Sequence, residues 1–297
     1  MKEIVLDEQV WTKAWREDPL TAVARMKKAG MDPAHTFDSK AKTFNEQVWN
    51  EEGRQRAKRI MNWLEGQGVA FEGQAVLDIG AASGGFSVPF AERGACVTSV
   101  EPSLPLAELL QHNAAKITHG SVSLVARPFE DIDIQAEGWD QAFDLVFVSM
   151  CPVIEDWESV ERVLGCARKF CYISMSVGPR EHSLVQELWP LVTDRAMDSE
   201  QMEYAYLLQL LLLKGYAFES IVTREMKTST LTREAALEEA MHLFHLYGLP
   251  ADERSRQIAA DYLERTYPSG QVEISQGGRF GKVLIRLQDQ NMYTREL

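Results

Sequence analysis

Cysteine is scarce: four in 297 residues, at positions 96, 151, 166 and 171, with no C-x-x-C pair. That spacing excludes a disulfide scaffold and a cysteine-built zinc site, both of which need clustered thiols. Long apolar runs are also missing. The longest, Ala205–Leu213, is interrupted by Gln209 and falls far short of the ~20 residues of a membrane span. Positive charge is in deficit, with 31 Lys and Arg against 44 Asp and Glu and a net charge of −13. Nucleic-acid affinity rests largely on phosphates neutralised by Lys and Arg, so this balance argues against nucleic acid or an anionic membrane as partner. Ile4–Val5–Leu6 gives way at once to Asp7 and Glu8, which reads as no export signal and leaves the thiols free in a reducing cytoplasm. There is no internal repeat and no low-complexity segment. What is present, 45% hydrophobic and 25% charged residues, is the composition of an ordinary globular chain.

Val10, Trp11, Ala14 and Trp15 recur at helical spacing, so the chain opens on a helix whose tryptophans pack against a core. Asp18 reads as the N-cap of a second helix, with Pro19 at its first position and Gly30 as its stop. Loop signals fill 31–43, and helical character resumes from Asn45 to about Leu64. From residue 75 apolar strands alternate with helical segments. Strands are expected at Ala75–Ile79, Cys96–Val100, Ser121–Ala126, Phe143–Met150 and Phe170–Val177, with helices at 84–93, 105–116 and 155–169. This rhythm predicts βαβ units and a parallel sheet. Asp198 and Gln201 then read as a capping box opening a helix to Lys214, and Ala217–Arg224 as a strand. Thr232–Tyr247 and Pro250–Tyr267 read as helices. Gln271–Ser275 and Lys282–Leu287 read as a closing hairpin around Gly277–Gly278. The organisation expected is an N-terminal helical extension (1–44), a core (45–227), a helical insert (228–268), and a closing hairpin with a polar tail (269–297).

The strongest local signal is Val76-Leu77-Asp78-Ile79-Gly80-Ala81-Ala82-Ser83-Gly84-Gly85-Phe86, where the first strand meets its helix. Small residues there let the backbone approach a ligand closely. Glu101 stands 21 residues beyond Gly80, at the end of the second strand, where a carboxylate can accept both hydroxyls of a ribose. A nucleoside site follows. Read as Gly80-x-Ala82-x-x-Gly85, the turn fits the dinucleotide fingerprint. Read as Asp78-x-Gly80-x-Ala82-x-Gly84, it resembles motif I of the class I S-adenosylmethionine (SAM)-dependent methyltransferases, with Ala82 in place of the middle glycine. Asp78 favours the second reading, because that family puts a carboxylate there to meet the cationic end of the methionine moiety. Ser99-Val100-Glu101-Pro102, Phe129-Glu130-Asp131-Ile132 and Phe143–Ser149 likewise resemble the family's second strand end, its adenine loop and its fourth strand.

The resemblance spans roughly residues 45–225 and the last strand. It implies an α/β fold: a doubly wound, mostly parallel seven-stranded sheet whose last strand is antiparallel. It implies SAM as cofactor and methyl transfer by in-line displacement. The cofactor site it implies comprises Asp78, Gly80, Ala81, Ala82, Gly84, Glu101, Pro102, Phe129, Glu130 and Ser149. An RNA or protein methyltransferase, a nicotinamide-dependent oxidoreductase and a non-catalytic SAM-binding module remain alternatives.

The fourth strand runs into Ser149-Met150-Cys151-Pro152, which is not the Asn/Asp-Pro-Pro-aromatic signature of many amino-group methyltransferases. Cys151 reads as a small apolar residue, since an unperturbed thiol at pKa ~8.5 leaves little thiolate at pH 7. His182, in the loop after the fifth strand, is a weak candidate for a catalytic base. Glu238, His242 and His245 share one helix face, a spacing that can bind metal; it reads first as polar surface, and no metal is expected. Tyr204, Tyr206 and Tyr247 read as packing residues. The N-terminal helices and the insert carry surplus apolar stripes, Trp11 and Trp15 in one, Leu237, Met241 and Phe244 in the other. They are expected to form a helical cap over the ligand end of the sheet, which suits a small-molecule acceptor. A dimer interface is the rival destination, so the chain is expected as a monomer or homodimer.

Overall fold

Five strands pair in parallel: β1 (Ala75–Ile79), β2 (Cys96–Val100), β3 (Ser121–Val125), β4 (Phe143–Ser149) and β5 (Ala167–Ser176), in the order β3-β2-β1-β4-β5. The computed structural model describes residues 6–178, 181–195 and 202–288. β4 is buried along its whole length up to Ser149, as a central strand covered on both faces must be. α4 (Glu51–Gly66) and α5 (Ser87–Glu92) cover one face, placing Met61, Leu64 and Phe90 against Val76, Phe147 and Tyr172. α7 (Trp157–Cys166) and α9 (Glu203–Leu213) cover the other, with Trp157, Val160, Leu207 and Leu211 against Leu77, Val146 and Ile173. α6 (Leu104–Ala114) connects β2 to β3. Among the described residues, no helix is long and apolar enough to cross a membrane.

The tryptophan stripe buries on the flank of the molecule and not over the ligand end. α1 (Glu8–Glu17) lies on α9, where Trp15 is fully buried and stacks on Tyr206 at 6.1 Å, with Trp11 edge-on to the same ring at 6.2 Å. The cause is α9 itself, EYAYLLQLLLL, which is apolar all round and needs a second cover. Asp18 does not cap the next helix. It follows α1 as its C-cap, and Thr21 caps α2 (Ala22–Lys28) by accepting the Ala24 N–H at 3.2 Å. The helix expected from Asn45 is two, α3 (Ala41–Trp49) and α4, divided at Asn50, whose side chain caps α4 by accepting the Gly53 N–H at 2.9 Å.

The end of the chain departs most from expectation. β7 (Ala217–Thr232) and β8 (Gln271–Arg286) are each 16 residues long and form one antiparallel ladder from Ala217↔Arg286 to Thr232↔Gln271. The closing hairpin is therefore absent. Gly277 is not a turn residue: any Cβ on it would strike the Glu225 carbonyl across the ladder, and one on Gly281 would strike the Tyr204 ring. The sheet has eight strands and not seven, because β6 (Glu181–His182) adds a short pairing to β8 at Gln276 and Gly277. β8 runs antiparallel to β5, as expected of the last strand.

Past the carboxyl edge of β5 the β7/β8 ladder continues as a two-stranded arm. α8 (Ser183–Val192), α10 (Arg233–Leu246) and α11 (Glu253–Thr266) pack on it around a separate core that includes Leu188, Met241, Phe244, Leu263, Val272 and Ile274. The insert stripe of Met241 and Phe244 is buried there. The capping box at Asp198 and Gln201 lies outside the described residues.

Candidate functional site

The backbone after β1 curls sharply, with Gly80, Ala82 and Gly84 at φ of +73°, +48° and +86°. The N–H groups of Gly80 and Ala81 both donate to the Val100 carbonyl, at 2.9 and 3.0 Å, tying the turn to β2. A left-handed alanine is uncommon. Here Ala82 is held by its own N–H, which donates to Glu101 Oε2 at 2.8 Å.

Glu101 is buried, and its other oxygen, Oε1, accepts the Ser103 N–H at 2.9 Å. Each oxygen has one bond and keeps acceptor capacity for a ligand. Burial pushes the carboxyl up, the two backbone bonds oppose this, and Asp38 and His35 act in opposite directions from the segment before α3. Asp78 lies deeper. Its Oδ2 accepts the Ser87 hydroxyl at 2.5 Å, and Ser87 accepts Ser99 at 2.8 Å. Burial, with Glu101 adding repulsion, raises Asp78 to about 7.

After β3, the single turn Phe129–Asp131 presents Glu130. Phe129 is buried under the Arg162 guanidinium, 5.3 Å from its ring centre. Arg162 Nη2 donates to the carbonyls of Phe129 and Glu130, both at 3.3 Å, and to that of Ile132. After β4, Met150 turns the chain at φ +55° and brings Cys151 against Gly80, so that a Cβ on Gly80 would lie 2.5 Å from Cys151 Sγ. Burial raises this thiol to about 12, and the charges of Glu101, Glu130 and Asp78 all push the same way. Carboxyl groups from β1, β2 and the post-β3 turn thus all act on Cys151, beside the glycine turn. Pro102 follows Glu101, Ala81 is buried within the turn, and Ser149 Oγ lies 3.1 Å from Ser174 Oγ at the edge of β4.

Some members of this constellation carried no signal in the sequence. α3 lies on the turn: Val48 fills the space a Gly85 side chain would take. Asn113 donates to Asn45 Oδ1 at 2.9 Å and to the Ser83 carbonyl at 2.8 Å. Arg162 acts from more than thirty residues away.

His182 is not brought to this site. Its ring is only 6% exposed. Nδ1 caps α8 by accepting the Val185 N–H at 3.4 Å, and Nε2 faces Glu239 at 3.3 Å. An imidazole engaged at both nitrogens has none free for an acceptor proton. Glu238 pairs with Arg256 at 2.7 Å and His245 faces the Ala29 carbonyl at 3.3 Å. Among the described residues no cluster could hold a metal ion.

The acid-lined turn discriminates between nucleoside ligands. A dinucleotide brings an anionic pyrophosphate to the turn after β1, where Asp78 and Glu130 disfavour it, whereas Glu101 can serve the ribose of either ligand. A ligand bearing a sulfonium and an ammonium is attracted by Asp78 and Glu130. Fold and turn together have the form of the class I SAM-dependent methyltransferases. Residues 77–171, the stretch from β1 into β5, match the family described as the methyltransferase domain. Among curated proteins none matches the sequence. In fold the chain is similar to phosphoethanolamine N-methyltransferase 2 of Haemonchus contortus, solved with phosphomonomethylethanolamine and S-adenosylhomocysteine. That match has a TM-score of 0.50 and 13% identity, and covers 91% of this chain and 61% of that one. It is also similar to the SAM-bound magnesium protoporphyrin IX methyltransferase of Synechocystis, at a TM-score of 0.41 and 16% identity, covering 74% of this chain and 89% of that one.

Proposed function

We propose that the protein moves the methyl group of SAM to a small-molecule acceptor, with Glu101 receiving the ribose hydroxyls. The observation that carries this is the Glu101 carboxylate, anchored by Ala82 and Ser103 yet with acceptor capacity left on both oxygens. In this reading Gly80, Ala81, Ala82 and Gly84 form the backbone surface that the methionine part crosses, and Asp78 draws its cationic end. Pro102, Phe129 and Glu130 flank the nucleobase, and Ser149 stands at the methyl end. The bound sulfonium supplies the leaving group. The chain's part is alignment and exclusion of water, and orientation alone can carry ~7–11 kcal/mol of a barrier.

Two features support a small acceptor. The arm and the segment before α3 meet over the carboxyl edge, where His245 faces the Ala29 carbonyl and Lys40 acts on Glu239 and His242. The net charge of −13 disfavours nucleic acid and anionic membranes. We therefore read 45–227 with the last strand as the core that holds the cofactor, and 228–268 with the chain leading into α3 as the cover over the acceptor. The protein acts as a monomer or homodimer in the cytoplasm, where its free thiols persist.

Calorimetry with SAM, S-adenosylhomocysteine and NAD, followed by methyl-labelled SAM and a small-metabolite extract, tests the proposal. Binding of the first two alone, with label passing into a low-mass product, is expected. Binding of NAD alone, or label passing only into protein or RNA, overturns it.

A further inference from the structure

The carboxyl ends of the central strands hold a second polar feature, which starts at Ser149 on the cofactor side and leads away from it. In register, Ser149 on β4 stands opposite Ser174 on β5, and Ser174 opposite Lys282 on β8. Side chains two residues apart share a face, and Phe147, Tyr172 and Leu284 lie in the core beneath α4 and α5. The row therefore faces α4. It starts next to the Gly80–Cys151 contact and crosses two strand spacings, roughly 10 Å. Tyr172 Oη, at the base of the row, is buried beside the Ser174 hydroxyl, which acts on it, and has no other hydrogen-bond partner among the described residues.

Lys282 is only 9% exposed. It donates to Thr223 Oγ1 at 2.6 Å and Glu225 Oε1 at 3.2 Å, and an ammonium has a third donor. Arg56, exposed on α4, the helix that covers this face, lies near enough for its charge to act on both Tyr172 and Glu225. Two cations thus face one carboxylate, a local positive excess in a chain of net charge −13.

We propose that this row is the acceptor subsite, and that the acceptor carries an anionic group, a carboxylate or a phosphate, held between Lys282 and Arg56. The hydroxyls of Ser174 and Tyr172 donate to it, and the atom to be methylated lies toward Ser149. This rests on the methyltransferase reading, so the two are tested apart.

S-adenosylhomocysteine is titrated first, and its failure to bind overturns the cofactor assignment. Inorganic phosphate and acetate are then titrated into the S-adenosylhomocysteine-loaded protein by calorimetry, with chloride holding ionic strength constant. One of the two is expected to bind saturably in the millimolar range: phosphate alone identifies a phosphate ester, acetate alone a carboxylate. Lys282→Met and Arg56→Gln should each weaken that binding at least fivefold and leave S-adenosylhomocysteine affinity unchanged. Arg56 is exposed on α4, so Arg56→Gln decides the matter where Lys282→Met does not fold. No saturable binding of either anion, or binding by Arg56→Gln as tight as the parent's, overturns the subsite.

Discussion

Adding one methyl group at Gly80 tests both the backbone and the ligand path. Gly80 sits at φ +73°, where an L-residue costs about 1–2 kcal/mol. The new Cβ would also stand 2.5 Å from Cys151 Sγ and 2.9 Å from its Cβ, and overpacking of this kind costs about 1–3 kcal/mol. Gly80→Ala should therefore lose about 2–5 kcal/mol of a total that is typically 5–15 kcal/mol, leaving a weakened but folded protein. Urea denaturation reads the loss, and calorimetry with S-adenosylhomocysteine reads the consequence for the ligand, expected to be at least tenfold weaker binding. The two contributions separate in a double variant. Cys151→Gly removes both clashing atoms, so Gly80→Ala/Cys151→Gly should show a coupling of about 1–3 kcal/mol while the backbone cost persists. Parent stability and parent affinity in Gly80→Ala would refute the close approach of turn and β4 end. Additivity of the two substitutions would refute the clash.

Glu101→Ala should weaken SAM by ~1.5–3 kcal/mol, the worth of hydrogen bonds to a charged group; unchanged affinity in calorimetry removes Glu101 from the ribose. Asp78 is raised to about 7 when folded, from an ordinary 3.8. Between those values the native state holds a proton the unfolded chain has released, so this group's contribution falls as pH rises from 4 to 7, by ~1.4 kcal/mol per unit. Asp78→Asn should remove that slope, gaining on the parent between pH 5 and 8 in urea midpoints; a pH-independent difference counts against the raised pKa. Arg162→Leu leaves three carbonyls without their shared donor. It should cost about 1–3 kcal/mol of stability and weaken SAM about tenfold, whereas parent-like SAM binding detaches the post-β3 turn from the cofactor.

Asp78, Gly80 and Glu101 were legible in the sequence because strand, turn, helix and next strand are contiguous, so spacing along the chain is spacing in the site. Arg162, Asn45 and Asn113 were not, because each reaches the site by tertiary packing that no local pattern encodes. Gly277–Gly278 misled for a specific reason: glycine marks a tight turn and a close backbone approach equally well, and here Gly277 serves the second purpose against Glu225. His182 misled in another way. Histidine is not among the usual N-capping residues, so nothing local suggested that its ring would be spent at the start of α8. The apolar stripe of α1 was read correctly as buried, but its partner, the outer face of α9, could not be inferred from periodicity.

The unbroken β7/β8 ladder has a kinetic consequence. The arm and the sheet share the same two strands along 16 consecutive pairings, with no linker between them to bend. The arm is thus an anvil, fixed in orientation to the β4 and β5 ends by a continuous run of backbone hydrogen bonds. The opposite jaw, the chain from Ala29 into α3, touches the arm through side chains such as His245, and contacts of that kind form and break quickly. In the proposed reaction, admission of acceptor and release of product would fall to the N-terminal jaw. Hydrogen exchange during turnover should be fast there and slow along the whole ladder, including the half that projects beyond the sheet.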